Sequence, residues 1–190
     1  MEPTITIYCK NTQSYHEVPR GISLIELRNL LGVELQYPII AAHVNYKVEN
    51  LNFLLYKPKD IEFLDASSPT GMRVYVRTLN MVLACAINEL YPHTDLRIEH
   101  PISKGYYCTL QWNMDKNDDS MRQSPPAVTA EMVEAIKQRM LQIIKEDRPI
   151  YEEEKRTKDV IKMFAARYNN QGSIFETLGN PYCRYFRMGD

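Results

Sequence analysis

The stretch 70–112 constrains the fold of this chain more than any other. Leu79, Leu83, Ala86 and Leu90 recur at spacings of four, three and four, which places them on one helical face. Val76, Val82 and Ile87 widen that face, so the spacing predicts a long buried helix over 72–90, covered on more than one side. Pro92 has no amide hydrogen and ends the helix within Tyr91-Pro92-His93-Thr94. Residues 95–100 then alternate apolar with polar in strand fashion, Ser103-Lys104-Gly105 turns the chain, and 106–112 reads as an aromatic strand. The residues before this unit read as one small module, and those after it as helices laid against it.

In the first module, 4–10 is a β-rich run, and 14–18 returns as its hairpin partner across Asn11-Thr12-Gln13. Ser23-Leu24-Ile25-Glu26 has the spacing of a capping box, in which the serine oxygen takes a first-turn amide and the glutamate reaches back. Leu24, Leu27, Leu30 and Leu31 give the helix an apolar face, and Gly32 suits a left-handed stop. Further strands are expected at 39–44, 48–51 and 60–64, the first two joined by a turn at Asn45-Tyr46-Lys47. The small, polar, proline-containing run 65–71 is the best linker in the chain.

Beyond the central unit, 115–126 is a polar excursion expected to form an exposed loop. Thr129 caps a helix whose apolar positions Val133, Ile136, Met140 and Ile143 step by three, four and three. Glu152-Glu153-Glu154 reads as a solvated approach to another helix, with Thr157 as its cap and Val160, Phe164 and Tyr168 along one side. Residues 182–188 alternate aromatic and basic side chains like a strand. That strand has no continuation, which suggests that 72–190 is truncated at its C-terminus.

Composition narrows the function classes. There are 23 Lys and Arg against 24 Asp and Glu, interspersed, without the basic excess of a dedicated nucleic-acid surface. The four cysteines, Cys9, Cys85, Cys108 and Cys183, form no CxxC pair; Cys85 and Cys108 are expected as small core residues. The start is not a signal peptide and no apolar run approaches a membrane span, so a reducing cytoplasm is the expected location and no membrane is involved.

The order of elements over 4–65, with the turn Val44-Asn45-Tyr46-Lys47-Val48, resembles the TGS domain, a small β-grasp binding module. The run Ala86-Ile87-Asn88-Glu89-Leu90-Tyr91-Pro92-His93-Thr94, then Ile98 and Gly105-Tyr106-Tyr107, resembles the second additional domain of threonyl-tRNA synthetases. That domain comes after TGS in those enzymes and hydrolyses wrongly charged tRNA. The resemblance implies an α+β chain: a β-grasp domain over 1–66, a linker at 67–71, and an antiparallel sheet with packed helices over 72–190. The family's chemistry uses two histidines four apart on the long helix and a Cys-x-x-x-His element. In this register the histidine positions fall at Arg77 and Met81, and the Cys-x-x-x-His element lies beyond Asp190 or is missing. A guanidinium is a fixed cation that cannot act as a base at neutral pH, and a thioether suits softer metals.

Gly71-Met72-Arg73-Val74-Tyr75-Val76-Arg77, Leu96-Arg97-Ile98-Glu99-His100 and Ser103-Lys104-Gly105-Tyr106-Tyr107-Cys108 also resemble a family of bacterial uridine-kinase-like proteins. There the same two domains precede a P-loop kinase domain that uses ATP and magnesium. No Gly-x-x-x-x-Gly-Lys-Ser/Thr occurs here, so the phosphate cradle is absent and these residues need no cofactor of their own.

Arg73, Arg77, Arg97 and Lys104, with Met81 and flanked by Tyr106 and Tyr107, are the candidate lining of a ligand cleft. Cations beside aromatic faces suit a nucleoside, a nucleotide, an RNA end or an amino-acid carboxylate. The plainer alternative is a set of ion pairs with Glu89, Asp95 and Glu99. His93 and His100 could approach each other across the loop and strand, but apart from Asp95 and Glu99 neither has a partner at ligand spacing. Surface or hydrogen-bonded histidines are therefore expected, with no metal site and no catalytic residue. The leading expectation is a non-catalytic N-terminal recognition or regulatory region of a uridine- or nucleoside-kinase-like protein. Its partner would be a small ligand or its own kinase domain. The acidic run 152–154, where the synthetases tend to be basic, argues against nucleic acid. The alternative is an RNA-binding or trans-editing relative of the synthetase domain that deacylates aminoacyl-tRNA; a third is a protein-interaction adaptor. Oligomeric state is not encoded in any of these features.

Overall fold

The computed structural model describes residues 3–92, 94–103, 105–112, 127–165 and 179–189. The chain is α+β and divides into two compact units, Met1–Asn80 and Met81–Asp190. Among the described residues no helix is long and apolar enough to cross a membrane.

The first unit is built on a five-stranded sheet. Strands β1 (Thr4–Cys9) and β2 (Ser14–Pro19) form the expected antiparallel hairpin, with Gln13 in the left-handed region at φ 54°. After the short β3 (Ile22–Ser23) comes helix α1 (Leu24–Leu31), then β4 (Ala41–Val44), β5 (Lys47–Glu49), β6 (Leu54–Leu55) and β7 (Asp60–Leu64). Their order is β2-β1-β7-β4-β5, with β1 and β7 parallel at the centre, while β3 and β6 pair separately. Alternation sends Ile7, Cys9, Val18, Val44, Ile61 and Phe63 to one face, where they pack with Leu24 and Leu27 of α1.

The helix ends are set by the residues that the sequence singles out. Ser23 Oγ accepts the Glu26 amide at 3.3 Å and Glu26 Oε2 accepts the Ser23 amide at 2.9 Å, completing the capping box. Gly32 takes φ 59° at the other end. Asn45, at φ 56°, turns β4 into β5, and its Oδ1 accepts the Asp60 amide at 3.0 Å.

Helix α2 (Pro69–Leu90) starts before residue 72 and takes up Pro69, Thr70 and Gly71 from the stretch expected as linker. Proline is tolerated there because first-turn amides have no intrahelical acceptor. Ser68 holds the start: its Oγ accepts the Gly71 amide at 3.0 Å and its carbonyl the Met72 amide at 2.8 Å. Asp65, 3% exposed, accepts the Tyr37 and Ser67 amides at 3.0 and 2.9 Å. The Ser67 hydroxyl, then the Tyr37 amide, hold its carboxyl below the usual range. A Cβ at Gly71 would sit 1.8 Å from the Asp65 carbonyl oxygen, so only glycine fits.

The expectation of burial along all of α2 is corrected. Met72, Tyr75, Leu79 and Leu90 are exposed; the packed positions are Val82, Ala86 and Ile87, with Leu83 half-buried. The packed stripe lies toward Ile136 and Ile143 of α3 (Ala130–Lys145) and toward Leu96 and Leu110 of the next two strands. Those strands, β8 (Thr94–Ile102) and β9 (Gly105–Trp112), pair antiparallel with an irregularity between Ile98 and Pro101, where proline breaks the ladder. Thr129 caps α3 by accepting the Met132 amide at 3.3 Å.

Glu152-Glu153-Glu154 is not a helix approach but the middle of β10 (Ile150–Arg156). It pairs antiparallel with β11 (Tyr182–Met188), from Ile150 opposite Met188 to Arg156 opposite Tyr182. Between them runs α4 (Thr157–Ala165), with Val160 fully buried. Thr157 serves α4 otherwise than as a cap: its hydroxyl donates to the Asn180 carbonyl. Among the described residues the antiparallel sheet expected over 72–190 is two separate two-stranded ladders, β8-β9 and β10-β11. Cys85 is half-buried and packs against the core of the second unit, in line with expectation. Cys108 is exposed and is not the core residue expected, lying two residues before Leu110 where β9 leaves that core. The loop expected at 115–126 and Tyr168 lie outside the described residues.

Two substitutions test this packing with opposite signs. Gly71→Ala forces a methyl into the Asp65 carbonyl and should cost about 1–3 kcal/mol in urea unfolding followed by circular dichroism. Thr94 is 3% exposed and its Oγ1 has no hydrogen-bond partner among the described residues. Thr94→Val, removing that unsatisfied hydroxyl, should raise stability by about 1 kcal/mol when unfolding is followed by the fluorescence of Trp112.

Candidate functional site

A cleft of about 850 Å³ opens in the second unit. Met81, Ala84, Cys85, Asn88 and Glu89 line it from α2, Glu146, Arg148 and Pro149 from the end of α3 and the turn after it, Met163 and Phe164 from α4, and Tyr185 to Met188 from β11. Helical spacing explains the first group: 81, 84, 85 and 88 share one side of α2, nearly opposite the packed stripe at 82, 86 and 87.

Its charged groups close on one another. Glu89 accepts from Arg139 Nε at 2.5 Å and from Arg148; Glu146 accepts from Arg139 Nη1 at 2.9 Å and from Arg148 Nη2 at 2.6 Å. The result is a four-membered ring of alternating sign. The hydrogen bond from Arg139, helped by Arg148, holds the Glu89 carboxyl below the usual range although burial opposes it. Both arginines are pushed up, each first by its bond to Glu89. Cys85 Sγ lies 3.6 Å from Glu89 and 3.7 Å from Arg148. Burial, and then the Glu89 charge, push its thiol up, so it is not an activated nucleophile.

A second cluster backs the cleft. Glu153 accepts from the Tyr185 hydroxyl and from Arg187 Nε at 2.9 Å, and Lys155 lies 3.6 Å away. These bonds, Tyr185 first and then Arg187, lower its pKa. The Phe164 ring meets Tyr185 edge-on at 6.3 Å, and Arg187 lies 5.0 Å from the centre of the Tyr151 ring. Arg184 pairs with Glu152 at 3.3 Å. Cys183 Sγ is 3.2 Å from the Thr157 hydroxyl.

Of the seven residues expected to line a cleft, Met81 does so here. Arg73 and Arg77 lie exposed on the first half of α2, Arg73 donating to the Thr70 hydroxyl at 2.9 Å. Arg97 is exposed on β8 opposite Thr109. Tyr106 and Tyr107 are consecutive on β9 and therefore stand on opposite faces, Tyr107 tilted against His100 at 5.5 Å. Lys104 and His93 lie outside the described residues. Glu89 pairs with Arg139 and Arg148 rather than with the arginines expected for it, and Glu99 accepts the Thr109 hydroxyl at 3.1 Å. Among the described residues no three His, Cys, Asp or Glu side chains converge as metal ligands do.

Sequence reasoning misses Glu146, Arg148, Phe164 and Tyr185 as cleft residues, and Arg139 as the partner of Glu89 and Glu146 behind them. A signal exists for the ribbon beside them: the acids at 152–154 and the bases at 184 and 187 have complementary sign at strand spacing.

No family model matches the chain. It is similar to threonine–tRNA ligases, 30% identical over 154 residues to that of Syntrophomonas wolfei and 28% over 151 residues to that of Natranaerobius thermophilus. These alignments cover 81% and 80% of this chain and 22% of each relative. A third, to the threonine–tRNA ligase of Citrifermentans bemidjiense, is 24% identical over 178 residues, covering 93% of this chain and 26% of that one. The chain therefore spans about a quarter or less of the length of these curated relatives.

The ring predicts a pH dependence. A carboxyl whose folded pKa is depressed stabilises the fold above its unfolded pKa, and that contribution is lost as pH falls through the folded value. Glu89→Gln should cost about 1 kcal/mol at neutral pH. It should also flatten the decline in the Trp112-monitored unfolding midpoint below about pH 4.

Proposed function

We propose that this chain is a threonyl-tRNA-synthetase-related binding module, holding the aminoacyl end of a tRNA without hydrolysing it. In this reading the first unit is a TGS-like β-grasp domain and the second a degenerate relative of the editing domain, working in the cytoplasm. What supports the first assignment is the sheet order β2-β1-β7-β4-β5, with its parallel central pair and α1 on one face. What carries the second is the similarity to threonine–tRNA ligases over 81% of the chain, combined with a cleft at Met81 that lacks imidazoles. The kinase-associated reading finds no support among these relatives.

The chemistry favours holding over cutting. Hydrolysis of an aminoacyl ester needs a base or a metal to activate water. Arg77 and Met81, one turn apart on α2, supply a permanent cation and a thioether where the resemblance places two histidines. Within the chain, the Cys-x-x-x spacing occurs on β11 as Cys183 followed by Arg187, so a guanidinium stands there as well. Arg187 reaches the cleft but is committed to Glu153. The acidic run that argues against nucleic acid is locally neutralised, since Glu152 and Glu153 pair with Arg184, Arg187 and Lys155.

Filter retention of mischarged tRNA, with the ester followed over time, tests both halves of this reading. The protein should retain the tRNA while the ester decays at the rate seen in buffer alone. Met81→Glu, placing an unpaired carboxylate in the cleft, should weaken retention about tenfold or more. Accelerated ester loss would refute the non-hydrolytic role, and absence of retention would refute binding.

A further inference from the structure

The geometry points to an uncharged apolar or aromatic group, of amino-acid side-chain size, as the occupant of this cleft. This deepens the binding reading above and rests on it for the source of that group, an aminoacyl side chain.

The charges in the cleft exclude the commoner alternative, a phosphate or carboxylate. Arg148 is bonded to both Glu89 and Glu146, each of which also bonds Arg139, and Arg187 is bonded to Glu153. An anion could take either arginine only by displacing a carboxylate already in place, and would then lie beside that carboxylate. A cation would meet the same obstacle with the signs reversed. Charge complementarity is thus spent within the protein, and a neutral ligand avoids the conflict.

The rest of the lining is largely apolar and rich in sulfur, with the Asn88 amide as an uncharged polar member. Met81 from α2, Met163 from α4 and Met188 from β11 bring three thioethers to one cleft, that of Met163 lying 3.8 Å from Lys155 Nζ, and the rings of Phe164 and Phe186 join them. Phe164 is turned edge-on to Tyr185, whereas Phe186 is 62% exposed and meets no ring among the described residues. An exposed phenyl ring in a lining that also holds three flexible thioethers suits an aromatic or bulky apolar guest, because methionine adapts its rotamers and sulfur packs well on ring edges. The volume of about 850 Å³ admits such a group together with the atoms that carry it.

The experiment uses the full chain labelled with ¹³C at its methionine methyls. Met81→Leu, Met163→Leu and Met188→Leu assign the three cleft signals. Titration with N-acetyl-phenylalaninamide should shift those three and leave Met72, which lies outside the cleft, unchanged. N-acetyl-serinamide and adenosine monophosphate should shift none of them at equal concentration. Phe186→Ala should weaken the aromatic amide about tenfold, while Met72→Leu, outside the cleft, should leave it unchanged. Unaltered Trp112 fluorescence in each variant shows that the fold is retained. A nucleotide that shifts the cleft methyls more strongly than the aromatic amide, or an aromatic amide that shifts none, overturns the inference. If tRNA is retained but the amide does not bind, this inference alone fails; if the amide binds and tRNA is not retained, the tRNA reading fails instead.

Discussion

The second unit depends on the closed ring of Glu89, Arg139, Glu146 and Arg148. Each member touches two partners of opposite sign, so no side chain in the ring is left half-satisfied. Geometry of this kind is worth more than scattered surface pairs, because a guanidinium can bond two acceptors and ordering one member orders its neighbours. The ring joins the end of α2 to the end of α3, and it fixes the departure of the chain from α3. There Asp147 takes φ 48° and Pro149 comes two residues later, delivering β10. The wall of the cleft that comes from residues 146–149 is held by the same bonds.

Much of the local architecture is legible in the sequence, because local rules decide it. The Ser23–Glu26 capping box, the Gly32 stop, the Asn45 turn and the Thr129 cap each depend on a few adjacent residues, and each forms as expected. Features that need a distant partner are not legible in the same way. Glu152-Glu153-Glu154 reads as solvated helix approach until β11 is known to lie alongside. Burial on α2 is ambiguous because Leu79 and Leu90 satisfy the helical period as well as Val82 and Ile87 do, and only the packing of Ile136 and Ile143 decides between them. The candidate site is harder still: its lining comes from α2, α3, α4 and β11 together, which no local pattern predicts. Of the candidates among the described residues, Met81 lines the cleft, and the sequence marks it by resemblance rather than by its own chemistry.

On the reading proposed above, Arg77 and Met81 stand on α2 where the resemblance places two histidines, and neither a guanidinium nor a thioether can activate water. The cleft at Met81 also pairs its carboxylates with arginines and keeps Cys85 as a neutral thiol. On that reading the site is suited to hold a guest rather than to transfer a proton, since its walls and the reacting groups of the family come from different side chains.

The β10–β11 ribbon has a consequence for behaviour in concentrated solution. Two-stranded ladders present outer backbone edges that can recruit a strand from another molecule, a common first step in aggregation. Here Glu152, Glu154, Arg156 and Arg184 stand exposed along the ribbon, so an approaching strand would have to bury or match charges of both signs. The charges that pair across the ribbon thereby also guard the edges it shows among the described residues against strand addition.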